Sequence, residues 1–592
     1  MYLVTSELAP THKGVELRFR DKAFAPVVKS AFADSDVDQT LIFEAYKRTG
    51  DYGIVVEDLL KNATLNLNES AKAEPPMTID VVYDYLHNMS MQTGKGSTQR
   101  KQDIAVALLR RCSTVDEAAF LARLLAHQNL RIGVGAKSIV TALAHAFAAP
   151  ETPKPSLQPW VASVAAAYSQ RPIFEDLVDT LSHAKLDSIA SLDEKAAYIN
   201  ANATPKPGTP IQTMLGYPAS SLHEITQRMA KYKEAACEFK YDGARLQIHM
   251  ECVKTWRDSR QGLSIFSRNM EAIPPEHKYF QLVEEFVLPF VAPRVDSFII
   301  EGEVVAVDDA SAALLPFQTL QTNDARSMRL FAFDCLYVNG TSLLHHPFRD
   351  RRRALLESFQ DSERFQFVQG DDLDMTASTE SLQALLQRAI EADCEGLMVK
   401  ALDAPYVAGT RTHTWLKLKR DYLPSTSASS TDSSGVFLPD TLDLVPIAAY
   451  RGKGRRANGF GSFLMACFDP ETSTFQTVGK VGSGFSDADI AALTANLQAT
   501  QVHGKPLEYT TSGTKASEPD VWFAPTQVWE IRAAQLTRSA QYTAGASEHG
   551  TTGLGLRFPR FVQVRRDKDV AQATSTDQLV ELSSKTINST TQ

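Results

Sequence analysis

The sequence predicts a multidomain α+β protein with three parts: an all-helical N-terminal region, a central α+β domain and a small C-terminal β-barrel. Residues 103–128 carry apolar side chains at the i, i+3, i+4 spacing of amphipathic helices. Short β-rich runs dominate residues 298–400, and alternating runs between glycine-containing turns follow residue 441. Breaks at residues 205–208 and 424–435 separate the three parts.

The N-terminal region contains a glycine-containing turn between predicted helices. The turn reads L-R-I-G-V-G at 130–135, and an Ala-rich helical stretch near 136–149 follows it. A turn that opens a helix presents free backbone N–H groups, which suit a phosphate. The alternative is an ordinary helix connector, which the turn taken alone favours.

The predicted domain limits follow from local composition. The Pro-Lys-Pro-Gly break predicts a helical domain over 1–205 and an α+β domain over 206–424. The run P-S-T-S-A-S-S-T-D-S-S-G predicts a flexible Ser-rich linker over 425–440. The remaining residues, 441–592, form the predicted β domain, and its Ser/Thr-rich C-terminal tail is predicted to fray.

Charge is distributed unevenly along the chain. The formal net charge of −9 by itself disfavours a nucleic-acid partner. Basic clusters at 349–353, 451–456 and 557–568 can nevertheless bind phosphates locally. Each cluster taken alone can equally be a solvated face.

Cysteine spacing and hydropathy exclude several classes of protein. The 6 cysteines contain no C-x-x-C pair, which argues against a zinc module and against a disulfide framework. No apolar run approaches the roughly 20 residues of a membrane span, and the N-terminus lacks the features of a signal peptide. We therefore expect a soluble intracellular protein without a membrane partner.

Lys240 is the residue with the strongest chemical signal. It lies in C-E-F-K-Y-D-G-A-R-L-Q-I-H at 237–249, where alternation predicts a strand and Asp242-Gly243 predicts a turn. An amine is nucleophilic only when unprotonated, which near pH 7 holds for roughly one lysine in a thousand. Burial or neighbouring cations would raise that fraction, and cationic groups recur in later segments. The alternative is a surface lysine in a hairpin.

K-Y-D-G-A-R at 240–245 resembles motif I of the covalent nucleotidyltransferases, the superfamily of ATP-dependent DNA ligases, RNA ligases and mRNA-capping enzymes. Further blocks follow in the order that this superfamily carries them. They are S-R-N (267–269), E-G-E (301–303), F-A-F-D (331–334), C-E-G-L-M-V-K (394–400), W-L-K-L-K (415–419) and R-F-P-R-F (557–561). The amino-acid sequences of these blocks are most similar to those of the eukaryotic replicative DNA ligases of the ligase I type.

This resemblance implies a fold for each part. It implies an all-α DNA-binding domain, a central adenylation domain of α+β nucleotidyltransferase fold and a C-terminal OB-fold. Met1 falls inside the region that resembles the helical domain, so we expect its first helices to be absent. In such a domain a helical hairpin grips the minor-groove backbone, which implies DNA contacts for Arg131, Gly133 and Gly135.

The resemblance also implies a reaction. Lys240 attacks the α-phosphate of ATP and forms lysyl-AMP, the AMP passes to the 5′-phosphate at a nick, and the 3′-hydroxyl then displaces AMP. Each step is an in-line phosphoryl transfer that depends on positioning and charge neutralisation. The implied cofactors are ATP, as AMP donor, and Mg²⁺. Mg²⁺ takes one or two carboxylates together with substrate phosphates, and Glu303 and Glu395 match the acidic positions of the motifs.

Further roles are carried over residue by residue from the motifs. The implied nucleotide contacts are Glu238, Arg245, Arg268, Glu303, Phe333, Lys400, Lys417 and Lys419. Phe333 would stack on adenine, with Glu238 beside the base, and Arg268 would also lie near the 5′-phosphate of the DNA. Motif VI of the C-terminal domain matches Arg557, Arg560 and Lys568 and would orient pyrophosphate. The alternatives are purely structural: salt bridges for Glu303 and Glu395, and a place in the hydrophobic core for Phe333.

Two other functions remain open at this stage. An RNA ligase shares the first chemical step, and a catalytically inactive nicked-DNA-binding protein would share the domains. The expected partner is nicked double-stranded DNA, bound by a monomer in replication and excision repair. No docking peptide for a sliding clamp is recognised, and a nuclear location is implied by the resemblance alone.

Overall fold

The computed structural model describes most of the chain, and the remaining residues form short gaps. The residues outside the description are 20, 33–38, 63, 68–76, 129, 131, 133, 149–153, 184–188, 190, 220, 309–312, 316–318, 321–326, 377–378, 420–435, 438–440, 453–455, 457–458, 471, 514–517, 547–551 and 585–592. Arg131 and Gly133 of the predicted DNA-binding turn therefore lie outside the described residues, as does most of the predicted linker.

The N-terminal part is helical, as predicted. Its α-helices are α1 (Asp21–Phe32), α2 (Gln39–Thr49), α3 (Tyr52–Lys61), α4 (Ile79–Ser90), α5 (Ser97–Leu109), α6 (Val115–Leu125), α7 (Ala136–Ala146), α8 (Lys154–Gln170), α9 (Phe174–Leu181) and α10 (Leu192–Asn202). Local signals set several boundaries. Thr114 and Glu117 form a reciprocal capping box at the start of α6. The Asp51 carboxylate accepts backbone hydrogen bonds at the start of α3.

The chain divides into two units. The first unit contains residues 1–15 and 133–423, and the second contains residues 16–132 and 424–592. In the first unit, α7 to α10 share a core that includes Trp160. No helix among the described residues is both long and apolar enough to cross a bilayer.

The first unit continues from its helices into two sheets. Its further elements are β1 (Leu215–Ala219), α11 (Leu222–Met229), β2 (Glu234–Lys240), β3 (Ala244–Met250), α12 (Val253–Ser259), β4 (Leu263–Ser267), α13 (Lys278–Phe286), β5 (Phe298–Ala306), β6 (Met328–Val338), β7 (Thr341–Ser342), α14 (Phe348–Ser358), β8 (Phe365–Phe367), β9 (Gly370–Asp374), α15 (Glu380–Glu391), β10 (Gly396–Ala401) and β11 (Arg411–Lys419). Sheet A has the order β1-β11-β10-β2-β9. Sheet B has the order β4-β3-β5-β6-β7, with β8 also paired to β6.

The two sheets are built from different arrangements of sequence. Sheet B uses the uninterrupted series β3 to β8, whereas the strands of sheet A lie on both sides of that series in the chain. The crossing from sheet A to sheet B occurs at Tyr241-Asp242-Gly243, directly after Lys240. A Cβ on Gly243 would lie 2.2 Å from the carbonyl oxygen of Val304, so only glycine fits this close approach.

Gly396 is a second position that requires glycine. Its φ is +144°, and an added Cβ would lie 2.1 Å from the carbonyl oxygen of Leu418 on the neighbouring strand. We expect Gly396→Ala to lower the free energy of unfolding of the first unit by about 3 kcal/mol, because backbone strain and a steric clash act together. Urea unfolding followed by tryptophan fluorescence measures this loss.

Gly340→Ala is the matched control for Gly396→Ala. Gly340 also has a positive φ, but an added Cβ there meets no atom within 4 Å. We expect this variant to lose less stability, because it pays only for the strained backbone conformation and not for a steric clash. Equal losses of unfolding free energy in the two variants would show that the close approach to Leu418 does not contribute to the effect.

The second unit ends in a β domain. Its elements are β12 (Val436–Phe437), β13 (Leu442–Arg451), β14 (Phe460–Asp469), β15 (Thr474–Val481), α16 (Asp487–Gln498), β16 (Gln501–Val502), β17 (Tyr509–Thr510), β18 (Val521–Phe523), β19 (Trp529–Arg532), β20 (Gln535–Ser539), β21 (Gly553–Arg557), β22 (Arg560–Val564) and α17 (Thr576–Ser584). β12 uses two residues of the predicted linker, and it pairs with β20.

The strands of this domain form mixed sheets and an incomplete ring. β13 pairs with β14 on one side and with β19 on the other, and the series continues to β15 and to β22. Within the described residues, β15 and β22 are joined only by the isolated bridge between Ser483 and Arg560, where the Phe561 N–H donates to the Ser483 carbonyl over 2.9 Å. The predicted C-terminal β domain is therefore confirmed, but continuous strand pairing does not close its barrel.

Part of the predicted frayed tail is ordered. Residues 576–584 form α17 because Leu579 and Val580 are buried in the core of the β domain. The prediction of fraying was wrong for this stretch, since the Ser/Thr content hid two apolar residues that face the core. The predicted fold class, with its helical, α+β and β parts, is confirmed.

Candidate active site

Lys240 is the last residue of β2 and lies on one face of sheet A. It pairs with Gly396 on β10, and Gly396 pairs in turn with Lys419 on β11. Because alternate residues of a strand share a face, Glu238 and Lys417 lie on the same face as Lys240 and Lys419. The opposite face holds buried apolar side chains, namely Cys237, Phe239, Leu397, Val399, Leu416 and Leu418. Packing of that face against the core directs the polar residues to the other side.

Glu395 links two of these lysines. Its Oε2 lies 2.6 Å from Lys240 Nζ and 3.0 Å from Lys419 Nζ, and its backbone N–H donates to the Lys240 carbonyl over 2.8 Å. Burial works to raise the pKa of Glu395, but the charges of Lys240 and Lys419 outweigh it and hold the pKa at about 2. Glu395 is therefore ionised, which both the metal-ligand role and the salt-bridge alternative require.

Two opposing influences act on the pKa of Lys240. Burial works to lower the pKa of Lys240, but the charges of Glu395 and Glu303 outweigh it, so the pKa lies above its ordinary value. Burial or neighbouring cations would raise the fraction of free amine, but the charged groups that act most strongly on Lys240 are the carboxylates of Glu395 and Glu303, and they act the other way. Loss of the contact to Glu395 would remove the largest influence that raises this pKa.

Lys417 has the opposite behaviour. Burial, together with the charges of Lys419, Arg411 and Lys240, lowers the pKa of Lys417 to about 8. Its positive charge lies among other cations, and an anion at this face would relieve their repulsion. The prediction that Lys417 and Lys419 share a strand face is confirmed by the register.

Sheet B brings Arg245 and Glu303 to the same site. They are cross-strand partners on β3 and β5. Burial raises the pKa of Glu303 to about 7, although the charges of Lys240 and Arg245 oppose that rise. Glu303 is thus a carboxylate whose negative charge is incompletely balanced in the protein alone.

The raised pKa of Glu303 predicts a pH-dependent cost in stability. Between its ordinary value of 4.5 and the value of about 7 in the folded state, the folded state binds more protons than the unfolded state. The free energy of unfolding therefore falls as pH rises through this window. We expect Glu303→Gln to unfold at a higher temperature than the wild type near pH 8, with a gain of about 1–2 kcal/mol because the side chain keeps some exposure.

Calorimetry at about pH 8 and about pH 5 checks this expectation. The gain should shrink at the lower pH, where the wild-type carboxyl group is protonated in the folded state. Glu276→Gln, at an exposed position, is the control and should show no such difference. A gain that is independent of pH would contradict the assignment to the ionisation of Glu303.

Glu301 and Tyr406 belong to the site although the sequence did not single them out. Arg245 Nη2 donates to Glu301 Oε2 over 2.7 Å, and the Tyr406 hydroxyl donates to the same oxygen over 3.1 Å. Residues i and i+2 of a strand share a face, so E-G-E already indicated that Glu301 and Glu303 point together. Tyr406 follows β10 in a loop, and no sequence signal marked it.

Phe333 is placed by an irregularity of sheet B. The register between β5 and β6 shifts between Glu301 and Gly302, which leaves Phe333 as the extra residue of a β-bulge. Its half-buried ring lies 4.6 Å from Lys400 Nζ and 5.3 Å from the Arg245 guanidinium carbon. The bulge therefore turns the ring toward the site.

Lys400 and Glu238 form a buried pair beside Phe333. Their charged atoms lie 2.5 Å apart, and Lys400 Nζ also lies 4.6 Å from the ring of Trp415. Glu238 Oε1 is buried without a hydrogen-bond partner. A buried acceptor without a donor is costly, so a ligand with an amino group at this point would be favoured.

The remaining predicted residues lie elsewhere. Arg268 is exposed in the turn after β4, and its charge contributes to the lowered pKa of Lys417. Gly135 is the N-cap residue of α7 and makes no side-chain cap. In the second unit, Arg557 ends β21, Arg560 begins β22, and Lys568 Nζ donates to Asp443 Oδ2 over 2.6 Å.

A lysine fixed at a strand end, where two sheets contribute the surrounding carboxylates and cations, is the arrangement of a nucleotidyltransferase. Family models agree with that class over most of the chain. They match "DNA ligase N terminus" at 1–144, "ATP dependent DNA ligase domain" at 213–419 and "ATP dependent DNA ligase C terminal region" at 456–568. The chain belongs to the ATP-dependent DNA ligases.

Curated relatives support the same family. The chain is 33% identical to DNA ligase 1 of Arabidopsis thaliana, with 98% of this chain and 70% of the relative covered. It is 32% identical to DNA ligase 1 of Drosophila melanogaster, with 98% and 74% covered. DNA ligase 1 of Dictyostelium discoideum is also 32% identical, but the chain spans only 48% of that relative's length.

Proposed function

We propose that this chain seals nicks with 3′-hydroxyl and 5′-phosphate ends in duplex DNA, through lysyl-AMP and a DNA-adenylate. Lys240 is the nucleophile: its ammonium group first loses a proton to the solvent, and the free amine then forms the bond to the α-phosphorus of ATP as the bond to pyrophosphate breaks. The supporting observation is the placement of Lys240 Nζ 2.6 Å from Glu395, on a face that also carries Lys417 and Lys419. The family match favours this reading over an RNA ligase.

The nucleotide contacts follow the same geometry. Phe333 offers a flat ring for adenine, and the free oxygen of Glu238 can accept a hydrogen bond from an amino group of the base. Arg245, Lys400, Lys417 and Lys419 supply positive charge for the phosphates and ribose. The exposed Arg268 is available to the 5′-phosphate of the DNA.

A divalent cation fits the carboxylates of this site. No three His, Cys, Asp or Glu side chains among the described residues come together as a metal site. Mg²⁺ commonly uses one or two carboxylates plus phosphate oxygens and water, and Glu303 and Glu395 can supply those carboxylates. The unbalanced charge of Glu303 supports that fit. The ion would neutralise phosphate charge during transfer.

The wider assignments are proposals as well. Arg131, Gly133 and Gly135 would contact the DNA backbone, and Arg557, Arg560 and Lys568 would act on pyrophosphate. The domain limits at 205, 424 and 440 also stay predictions. We further propose a monomer that acts in replication and excision repair in the nucleus, with a sliding clamp as its candidate partner.

Labelled ATP tests the proposed function. With Mg²⁺ and ATP labelled at the α-phosphate, the label should become covalently attached at Lys240. It should leave when nicked duplex DNA is added, and the sealed strand should appear. Release on nicked RNA instead would favour the RNA ligase, and retention of the label on both would refute sealing. A chain that binds nicked DNA but takes up no label would be an inactive nicked-DNA-binding protein.

A further inference from the structure

A buried amide lies behind the proposed nucleotide site. Gln247 on β3 is 2% exposed. Its Oε1 accepts a hydrogen bond from the Ile211 N–H over 2.7 Å, and its Nε2 donates to the Ile211 carbonyl over 3.2 Å. One side-chain amide therefore pairs with both backbone groups of Ile211, as a neighbouring strand would.

The same amide makes two further contacts, one to Glu301 and one to His249. Gln247 Nε2 donates to Glu301 Oε1 over 3.2 Å, and Oε1 lies 2.8 Å from His249 Nε2. The Gly208 N–H donates to His249 Nδ1 over 3.2 Å, so the ring carries its proton on Nε2 and donates to Gln247. Burial, with the charge of His12, lowers the pKa of His249 to about 3, so the ring stays neutral at ordinary pH.

These contacts fix one stretch of backbone, residues 208–214, which we call the 208–214 segment. It is held at Gly208 by His249 and at Ile211 by Gln247. At Met214, the carbonyl accepts from Arg245 Nη1 over 2.9 Å, and the N–H donates to the Tyr406 hydroxyl over 2.8 Å. The anchors recur at every third residue.

The same network determines the surroundings of Arg245. The guanidinium of Arg245 bonds Glu301 with Nε and Nη2 and bonds Met214 with Nη1. Gln247 holds Glu301 directly and holds Met214 through the 208–214 segment. Gln247 thus contacts one anchor of Arg245 directly and contacts the backbone segment that carries another. The Tyr406 hydroxyl is a third partner of Arg245, 3.2 Å from Nη2, and the backbone of Gln212 within the segment is also bonded to Ser169 and Gly409.

We propose that Gln247 is a positioning residue for nucleotide binding, which fixes Glu301 and the 208–214 segment together and so sets the orientation of Arg245. This inference rests on the proposed function, because it assumes that Arg245 contacts the nucleotide. Only glutamine satisfies all four contacts: leucine makes none of them, glutamate has no N–H donor, and asparagine is shorter.

Single-turnover self-adenylylation tests this role. We expect Gln247→Leu to raise the ATP concentration for half-maximal rate by about tenfold, with a smaller change in the maximal rate, because buried hydrogen bonds that orient Arg245 are lost. Gln247→Glu should be at least as impaired, since it removes both donors and places a second carboxylate beside Glu301. The exposed Gln261→Leu is the control and should behave as the wild type.

A double-mutant cycle separates positioning from general damage. If Gln247 acts through Arg245, Gln247→Leu should add little to the effect of Arg245→Ala on ATP affinity. Combined with Lys417→Ala, the effects should add, because no hydrogen bond joins Lys417 to Gln247, Glu301 or Arg245 among the described residues. Additive effects with both partners would overturn the proposal.

Hydrogen exchange gives a readout that does not depend on activity. In Gln247→Leu, amides of the 208–214 segment should exchange faster, while peptides from the core of sheet A should be unchanged. Unchanged exchange in the 208–214 segment would overturn the positioning role even in a protein that forms lysyl-AMP. Failure of the wild type to form lysyl-AMP would instead refute the proposed function, so the two failures are distinguishable.

Discussion

Lys240→Ala is expected to form no detectable lysyl-AMP, a loss of at least about 10⁴-fold in self-adenylylation. The reason is chemical: the amine is the atom that forms the bond to phosphorus, and no other described amine occupies its position at the end of β2. Gel separation of the protein after incubation with α-labelled ATP measures the loss. Overall nick sealing from ATP should fall with it.

Two further variants sharpen this test. Lys240→Arg keeps a positive charge near Glu395 but should be equally inactive, because a guanidinium stays protonated. Lys254→Ala, at an exposed position, should retain full adenylylation. A nick that already carries AMP should still be sealed by Lys240→Ala, since the last step needs no lysyl-AMP. Label incorporation by Lys240→Arg at the wild-type rate would rule out the proposed nucleophile.

Glu395→Gln is expected to slow self-adenylylation by about 10²–10³-fold, the usual effect of removing one aligned electrostatic group. The wild-type carboxylate holds Lys240 and Lys419 together and is one of the two carboxylates proposed for Mg²⁺. The variant keeps the shape of the side chain and loses its charge. Rapid quenching of the reaction at saturating ATP measures the change.

The pH profile of Glu395→Gln tests the cause of that change. The charge of Glu395 is the largest influence that raises the pKa of Lys240, and burial works in the opposite direction. Without that charge the pKa of Lys240 should fall, so the rate should reach its plateau at a lower pH than in the wild type. Glu391→Gln, exposed on α15, is the control. An unchanged profile would contradict the role of the ion pair.

The sequence predicted those features that depend on local pattern. Alternation around Lys240 followed by Asp-Gly predicted a strand end, and the spacing of Lys417 and Lys419 predicted a shared face. Both follow from the geometry of a single strand, and the structure confirms them.

Features that depend on contacts between distant segments were not predictable in the same way. The raised pKa of Lys240 depends on Glu395, which reaches it only through the pairing of β2 with β10. The position of Phe333 depends on a register shift that no local pattern encodes. Gln247 carried no chemical signal at all, because its role comes from the backbone that passes beside it. The order of the sequence motifs indicated which residues come together, but it did not indicate how their charges set the pKa values of the site.

The nesting of sheet B within sheet A sets an order for biosynthesis. All strands of sheet B have been translated once the ribosome passes Phe367, whereas β9, β10 and β11 of sheet A have not. Until then β2 lacks its partner β10, and its hydrogen-bonding edge is open to unwanted association. The nascent protein can thus fold its inner sheet early, but it acquires a reactive centre only after Lys419 has emerged.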